Sequence, residues 1–302
     1  SMPKLKIAVY WTAACGGCDV AILDTGEKVL ELGELADIAL WPLATDHKYA
    51  DLEKYGPEEI DVCLFHGAIR LSDQEEMAKL LREKTKTLIA FGACSSFGGI
   101  PGLGNFHKGK ELMDRSYFET PSTSNPRKNL PQIRVQVPEG ELTLPALYDR
   151  VYSLDQIVDV DYYLPGCPPP VPLIVAAIDA IAAGQLPPKG AVLAGERSLC
   201  HECPREKQEK KIKSFKRPFE IEPDPNRCLL EQGIICNGPA TRGGCGALCI
   251  QVNMPCRGCF GPAPKVLDGG ANLASAIASI IDASDNEEIK EISAEIKDPA
   301  GT

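Results

Sequence analysis

Thirteen cysteines punctuate this 302-residue chain, and one spacing recurs three times: Cys15-Gly-Gly-Cys18, Cys200-His-Glu-Cys203 and Cys256-Arg-Gly-Cys259. Thiols at such density serve as disulfides, as metal ligands or as reactive groups. A lone Cys-x-x-Cys after a strand would suit a thioredoxin-like redox pair, but one dithiol enzyme has no use for two further pairs. Beyond residue 199 the spacing tightens: Cys200, Cys203, Cys228, Cys236, Cys245, Cys249, Cys256 and Cys259 are eight thiols, enough for two tetrathiolate sites. A 4Fe-4S cluster takes four cysteines, and a zinc ion also accepts four. Spacing alone does not separate them. Zinc ribbons, however, pair two Cys-x-x-Cys units within a short stretch, whereas Cys203 and Cys256 lie far apart with other cysteines between. The ferredoxin run of three closely spaced cysteines is absent, which excludes a simple ferredoxin. Gly16, Gly17, Gly166, Gly243, Gly244, Gly246 and Gly258 let backbone N–H groups approach sulfur, and Pro168, Pro204 and Pro255 stiffen the same loops. The same residues also mark ordinary turns.

The elements that must position these thiols can be read from hydrophobic periodicity. Leu5–Tyr10, Val62–Phe65, Thr87–Phe91 and Tyr162–Leu164 are short apolar runs expected to be buried strands. Between them lie helical patterns, the clearest beginning at Ser72, where Ser72-Asp73-Gln74-Glu75 reads as a capping box ahead of Met77, Leu80 and Leu81. Strands alternating with helices imply an α/β fold with a doubly wound parallel sheet. Cys15 and Cys18 follow the first strand, Cys94 follows the strand ending near Phe91, and Cys167 follows the strand ending near Leu164. The carboxyl ends of parallel strands share one edge, so these four thiols are expected to converge there. An apolar helix over Val171–Ala183, closed by Gly184 and Pro187-Pro188, ends the first part. From about residue 196 the composition turns to Cys, Gly, Pro and charge, as in a small irregular domain held by metal. The expected division is 1–195, 196–265 and a helical tail over 266–302, in which residues 286–297 form a charged amphipathic surface helix. The polar, Pro-rich stretch from Gly104 to Ala146 reads as a long functional loop or interface arm.

Composition narrows the function classes. A net charge of −10 argues against nucleic acid, whose binding needs a basic footprint. Near the N-terminus there is no long apolar run, cleavage site or twin arginine, and Val171–Ala183, the longest apolar stretch, contains Pro172 and Asp179. The expectation is a cytoplasmic protein that neither crosses nor enters a membrane, a setting in which thiols stay reduced and available to metal. The run from Lys207 to Arg217 holds six cations in eleven positions; it reads as solvated surface, or as a patch that steers an acidic electron acceptor. Gly98-Gly-Ile-Pro-Gly-Leu-Gly104 does not fit the dinucleotide fingerprint, and the first loop lacks the hydroxyls of a flavin phosphate loop.

Taken together, Cys15-Gly-Gly-Cys18, Gly92-Ala-Cys94, Pro165-Gly-Cys167-Pro-Pro-Pro170, Cys200-His-Glu-Cys203-Pro-Arg205, Gly238-Pro-Ala-Thr241 and Pro255-Cys-Arg-Gly-Cys259 closely resemble the small subunit of NiFe hydrogenases. The resemblance runs from residue 5 to about 265. It implies a flavodoxin-like first domain followed by a small irregular iron–sulfur domain, and three 4Fe-4S clusters. Cys15, Cys18, Cys94 and Cys167 would hold the proximal cluster, Cys245, Cys249, Cys256 and Cys259 the medial one, and Cys200, Cys203, Cys228 and Cys236 the distal one. Exported relatives carry histidine at the position of Cys200 and lack the cysteine at Cys249, so both departures point to three four-iron clusters and to the cytoplasmic branch.

Cys63 then remains as a buried bystander, and of His47, His66, His107 and His201 only His201, beside Cys200, is a candidate substitute ligand. No residue here is expected to be catalytic, because the nickel–iron centre of this family belongs to a large-subunit partner. The subtype resembled most, partly through Cys228-Leu-Leu-Glu-Gln-Gly-Ile-Ile-Cys236-Asn-Gly-Pro, is methyl-viologen-reducing. It passes electrons through an acceptor subunit with a 2Fe-2S cluster and a flavin-containing partner to heterodisulfide reductase. Alternatives are a deazaflavin-reducing hydrogenase subunit, a single-cluster subunit of a quinone-reducing complex, which would not need the last eight cysteines, and a zinc-stabilised structural protein.

Overall fold

A computed structural model describes residues 4–296 of the chain. They form two compact units, the first ending at Val192 and the second beginning at Leu193. The expected tail extends to residue 302, so its last part, 297–302, lies outside the described residues.

The first unit contains strands β1 (Leu5–Trp11), β2 (Ala36–Leu40), β3 (Ile60–His66), β4 (Ile69–Leu71), β5 (Thr85–Phe91), β6 (Arg134–Val137), β7 (Gly140–Thr143), β8 (Leu147–Tyr152) and β9 (Tyr162–Leu164). Its helices are α1 (Gly17–Leu23), α2 (Lys28–Leu35), α3 (Tyr49–Leu52), α4 (Ser72–Lys84), α5 (Ala93–Phe97), α6 (Gly109–Asp114) and α7 (Val171–Ala182). Five strands make the central sheet in the order β2-β1-β3-β5-β9, and every pairing is parallel. This is the doubly wound, flavodoxin-like order, in which the order of strand addition reverses between β1 and β3 and opens a crevice at the carboxyl edge.

Strands covered on both faces need apolar side chains on both, which explains the near-continuous apolar runs of β3 and β5. On one face Ala8, Tyr10, Cys63, Phe65, Leu88 and Ala90 pack with Met77, Ala78 and Leu81 of α4. On the other, Ile7, Val9, Val62 and Leu64 meet Ile22 of α1 and Ile178 of α7. Helix α7 ends on Gly184, whose N–H reaches Ile181 O while that of Gln185 reaches Ala180 O, as expected of a glycine-terminated helix.

The capping box read at Ser72 is displaced by one residue. Leu71 occupies the extended N-cap position, and Gln74 Oε1 accepts from the N–H groups of Leu71 and Arg70 at 3.0 and 2.8 Å. Ser72 Oγ instead accepts from Ala146 N, fastening β8 to the helix start. The stretch 104–146 is not one long loop: it contains α6 and the exposed antiparallel hairpin β6–β7.

The second unit has little regular structure: α8 (Leu248–Gln251), α9 (Gly269–Ile280), α10 (Asn286–Ala294) and short 3-10 turns. Its core interleaves Leu199, Leu229, Leu230, Ile234, Ala247 and Ile250 with Cys236 and Cys256. The tail packs into this unit: Ile280 joins the same cluster, and Ile212 and Ile281 form a β-bridge. Asp285 caps α10, accepting from Glu287 N and Glu288 N.

Phe65 is fully buried at the sheet centre with its ring 5.7 Å from that of Tyr10, whereas the Phe219 ring is 84% exposed. In chemical denaturation, Phe65→Ala is expected to lose about 3–5 kcal/mol and Phe219→Ala no more than about 0.5 kcal/mol.

Candidate metal centres

The carboxyl edge of the sheet gathers the first four thiols. After β1 the chain is pinned beside β3 by Thr12 N to His66 O at 2.9 Å and by the reciprocal pair Ala13–Ala68 at 3.0 Å. Cys15 then stands in the loop and Cys18 in the first turn of α1. Cys94 sits in the short α5 directly after β5, and Cys167 follows β9. Two backbone bonds lock these last two loops together: Gly92 N donates to Leu164 O and Ala93 N to Gly166 O, each at 2.7 Å. Gly92 has a positive φ of 88°, and a Cβ there would lie 2.5 Å from Cys18 Sγ, so only glycine lets the β5 loop pass the sulfur.

Proximity appears directly in the acid–base behaviour of these thiols. Burial pushes the Cys18 thiol well up, and the negative charges that Cys94, Cys167 and Cys15 would carry push it further. Cys94 is raised to about 11 by burial, then by Cys167 and Cys15, against backbone N–H donors that favour its thiolate. Four thiols so placed resist ionising together. A bound metal cation removes that conflict, since a coordinated thiol is deprotonated outright.

The second unit gathers two further groups. Cys200, Cys203, Cys228 and Cys236 line one small cavity together with Arg205, Lys207, Leu230 and Gly238. Cys200 is raised to about 11 by burial, opposed by Lys207 and reinforced by Cys236, Cys228 and Cys203. Cys236 is also raised to about 11 by burial, against the N–H groups of Gly238 and Cys256. A Cβ on Gly238 would stand 3.3 Å from Cys200 Sγ and 3.6 Å from Cys236 Sγ, so this backbone lies against the sulfur-lined wall.

In the third group Cys256 is raised, first by burial, with Gly258 N–H and the Thr241 hydroxyl opposing and Cys245 and Cys249 reinforcing. Cys259 is half-buried at the end of the same Cys256-Arg-Gly-Cys259 turn. The two groups touch through backbone: Cys256 N–H donates to Cys236 Sγ at 3.3 Å. Among the described residues, no three or more Cys, His, Asp or Glu side chains form a group that could hold a single metal ion. Thiolates that bind separate irons of a cluster do not need to converge on one ion.

Cys63 stands apart, fully buried in β3 among apolar side chains. His201 turns to Ser198, its Nδ1 lying 3.1 Å from Ser198 Oγ. A polar group beneath the first site escaped the sequence reading. Asp19, next to Cys18 and 1% exposed, accepts from Trp41 Nε1 at 2.8 Å. Its other oxygen lies 3.0 Å from His66 Nε2, off the line of a hydrogen bond, and the fully buried His66 ring stacks under Trp11. The available signal was positional: Asp19 directly follows a ligand candidate, and His66 ends a central strand on the same edge.

No helix among the described residues is long and apolar enough to cross a membrane. Residues 15–181 match the family described as NADH ubiquinone oxidoreductase, 20 Kd subunit. The chain is 42% identical over 283 residues to the iron-sulfur subunit of the F420-non-reducing hydrogenase of Archaeoglobus profundus, an alignment covering 92% of this chain and 88% of that one. It is 40% identical over 275 residues to a vhu subunit of the F420-non-reducing hydrogenase of Methanocaldococcus jannaschii, covering 91% and 88%. Among solved structures, a chain of an NAD+-reducing NiFe hydrogenase in the H2-reduced state aligns with a TM-score of 0.53 and 30% identity, over 61% of this chain and 94% of that one. The recombinant NiFeSe hydrogenase from Desulfovibrio vulgaris Hildenborough aligns with a TM-score of 0.55 over 88% and 96%; at 16% identity this is a likeness of fold. Thiol-bearing strand ends on a doubly wound sheet, a cysteine-laced second unit and identity along nearly the whole chain agree: the protein belongs to the family of NiFe hydrogenase small subunits, in its F420-non-reducing, methyl-viologen-reducing branch.

Proposed function

We propose that this oxidoreductase subunit relays electrons from H2 oxidation through three 4Fe-4S clusters to an acceptor subunit that carries a 2Fe-2S cluster and serves heterodisulfide reductase. The observation that supports this reading is the gathering of Cys18 with Cys15, Cys94 and Cys167, of Cys200 with Cys203, Cys228 and Cys236, and of Cys256 with Cys245 and Cys249, Cys259 closing the same turn as Cys256. Cys15, Cys18, Cys94 and Cys167 hold the proximal cluster; Cys245, Cys249, Cys256 and Cys259 the medial; Cys200, Cys203, Cys228 and Cys236 the distal. The clusters, when bound, supply one-electron storage at fixed points. The chain's own contribution is to hold the thiolates and to set the polarity around them. Gly258 N donates to Cys256 Sγ at 3.4 Å, and Gly17 N to Cys15 Sγ at 3.4 Å, bonds that favour the charged sulfur.

The large subunit, which bears the nickel–iron centre, docks in this proposal over the first quartet. There Cys15 and Cys167 are exposed, and Trp11, Val20, Phe97, Ile100 and Phe106 present apolar side chains to solvent. Apolar surface of this kind beside an electron-entry site suits a permanent partner. On the second unit, Lys211 is tied to Ser279 O and Lys213 lies 3.7 Å from Asp282. Lys207, Lys210 and Lys216 of the same run, all exposed, support steering of an acidic acceptor. Reduced thiols suit the cytoplasm, where we place the assembly. A single-cluster, quinone-complex role draws support from the family match to 15–181 but leaves the eight cysteines beyond it without use.

Three measurements test this. Protein purified without oxygen with its partners is expected to carry roughly twelve irons and as many sulfides attributable to this chain; about four irons would favour the single-cluster role, and zinc without sulfide would end the proposal. Cys167→Ser is expected to remove or convert one cluster, by iron analysis and EPR, and to cut dye-linked H2 oxidation, while Cys63→Ser leaves both near the wild-type values; equal effects would undo the assignment. Ile100→Asp is expected to weaken co-purification with the large subunit at least tenfold without changing the fold by circular dichroism, and unchanged association would move the interface elsewhere.

A further inference from the structure

Arg205 is 8% exposed, yet its guanidinium meets no carboxylate among the partners it contacts. Nη1 donates to Asp224 O at 2.6 Å and Arg227 O at 3.1 Å, and Nη2 to Ile250 O at 3.2 Å and Asn253 Oδ1 at 2.5 Å. All four acceptors are neutral. Its Nε is buried without any partner, and the side chain lines the cavity shared by Cys200, Cys203, Cys228 and Cys236. A buried cation that lacks a counter-charge is strongly unfavourable, and the cost is relieved when an anion lies beside it. Lys207 lines the same cavity from an exposed position.

Four thiolates around a cluster make this cavity the place where negative charge collects. We infer that Arg205, with Lys207 at the rim, is the built-in counter-charge of the Cys200, Cys203, Cys228 and Cys236 quartet and sets that cluster's reduction potential. The inference rests on the proposed cluster site and adds to it the device that orders the potentials. Adding an electron makes the site more negative, so a fixed cation stabilises the reduced form and raises the potential. At the first quartet the buried neighbour is instead an acid, Asp19, directly after Cys18 and 1% exposed. The buried cation thus makes the Cys200 quartet a more favourable resting place for an electron than the same thiolates would be without it.

The three carbonyls that Arg205 holds adjoin or lie near Cys228 and Cys249, so Arg205 could act as a loop tie and nothing more. The experiment must separate charge from tying. In the complete hydrogenase, purified without oxygen, EPR-monitored redox titration is expected to resolve one reduced-cluster signal whose midpoint falls in Arg205→Met. The expected fall is at least about tenfold in the reduction equilibrium, roughly 59 mV for one electron. Arg205→Lys, which keeps the charge, is expected to stay near wild type, and Lys207→Gln to lower the same signal by a smaller step, with the other signals unmoved and iron content unchanged. An unmoved midpoint in fully loaded Arg205→Met overturns the inference. So does loss of about four irons in both the Met and the Lys variants, the mark of a pure loop tie. If Arg205→Met does not assemble, Lys207→Gln decides, and an unmoved signal there is again fatal. A wild-type protein without iron–sulfur signals would overturn the underlying cluster reading, and it is told apart because it is seen before any substitution is made.

Discussion

Thiolates repel one another, and burial makes each of them harder to form; nearly every feature of this chain answers to that constraint. Cys18, Cys94, Cys200, Cys236 and Cys256 are all held above the ordinary thiol range, with burial as the first cause and neighbouring cysteines adding to it. Such groups are stable as neutral thiols or as metal thiolates, and poorly stable as free anions. The second unit carries this furthest. Its hydrophobic cluster contains Cys236 and Cys256 as buried members, so the candidate site and the core share side chains. A metal bound by these thiolates would therefore be coupled to the folding of this unit.

The first unit solves the same problem with architecture. A five-stranded parallel sheet covered on both faces has a core that owes nothing to Cys15, Cys18, Cys94 and Cys167, and only its carboxyl edge is given over to them. Convergence follows from the parallel order, because β1, β5 and β9 all end on that edge. The close fit of Gly92 against Cys18 and the bonds from Gly92 and Ala93 to the β9 loop then bring separately encoded loops within reach of a common centre. A rigid sheet of this kind holds a redox site in place without spending flexible loop on it.

Much of this was legible from residue order. Strand ends at Tyr10, Phe91 and Leu164 placed three thiol-bearing loops because apolar runs bounded by glycine and cysteine leave little freedom in where a buried strand stops. The motif set around Cys15, Cys94, Cys167 and Cys200 was enough by itself to point to the family. What escaped was decided by tertiary contact. Ser72 looks like a helix cap, but Ala146, distant in sequence, claims its hydroxyl, and the capping duty passes to Gln74. The pairing of Asp19 with Trp41 and His66 joins three separate segments and has no local signature. The tail read as helical over 266–302 divides into α9, over Gly269–Ile280, and α10, over Asn286–Ala294, each opened by an aspartate cap, Asp268 and Asp285.

One contact, Cys256 N–H to Cys236 Sγ, has a consequence for how this molecule can change. The amide of one thiol-bearing residue is the hydrogen-bond donor of a sulfur in the neighbouring group. From sulfur to sulfur the path is one hydrogen bond and the three covalent bonds from N through Cα and Cβ to Sγ of Cys256. Moving the backbone at Cys256 alters the electron density on Cys236, and swelling or shrinking the Cys236 group pulls on the peptide of Cys256. The two cysteine groups of the second unit are accordingly coupled through one peptide. A graft that borrows only the Cys236 group would lose one of the two N–H donors that reach that sulfur.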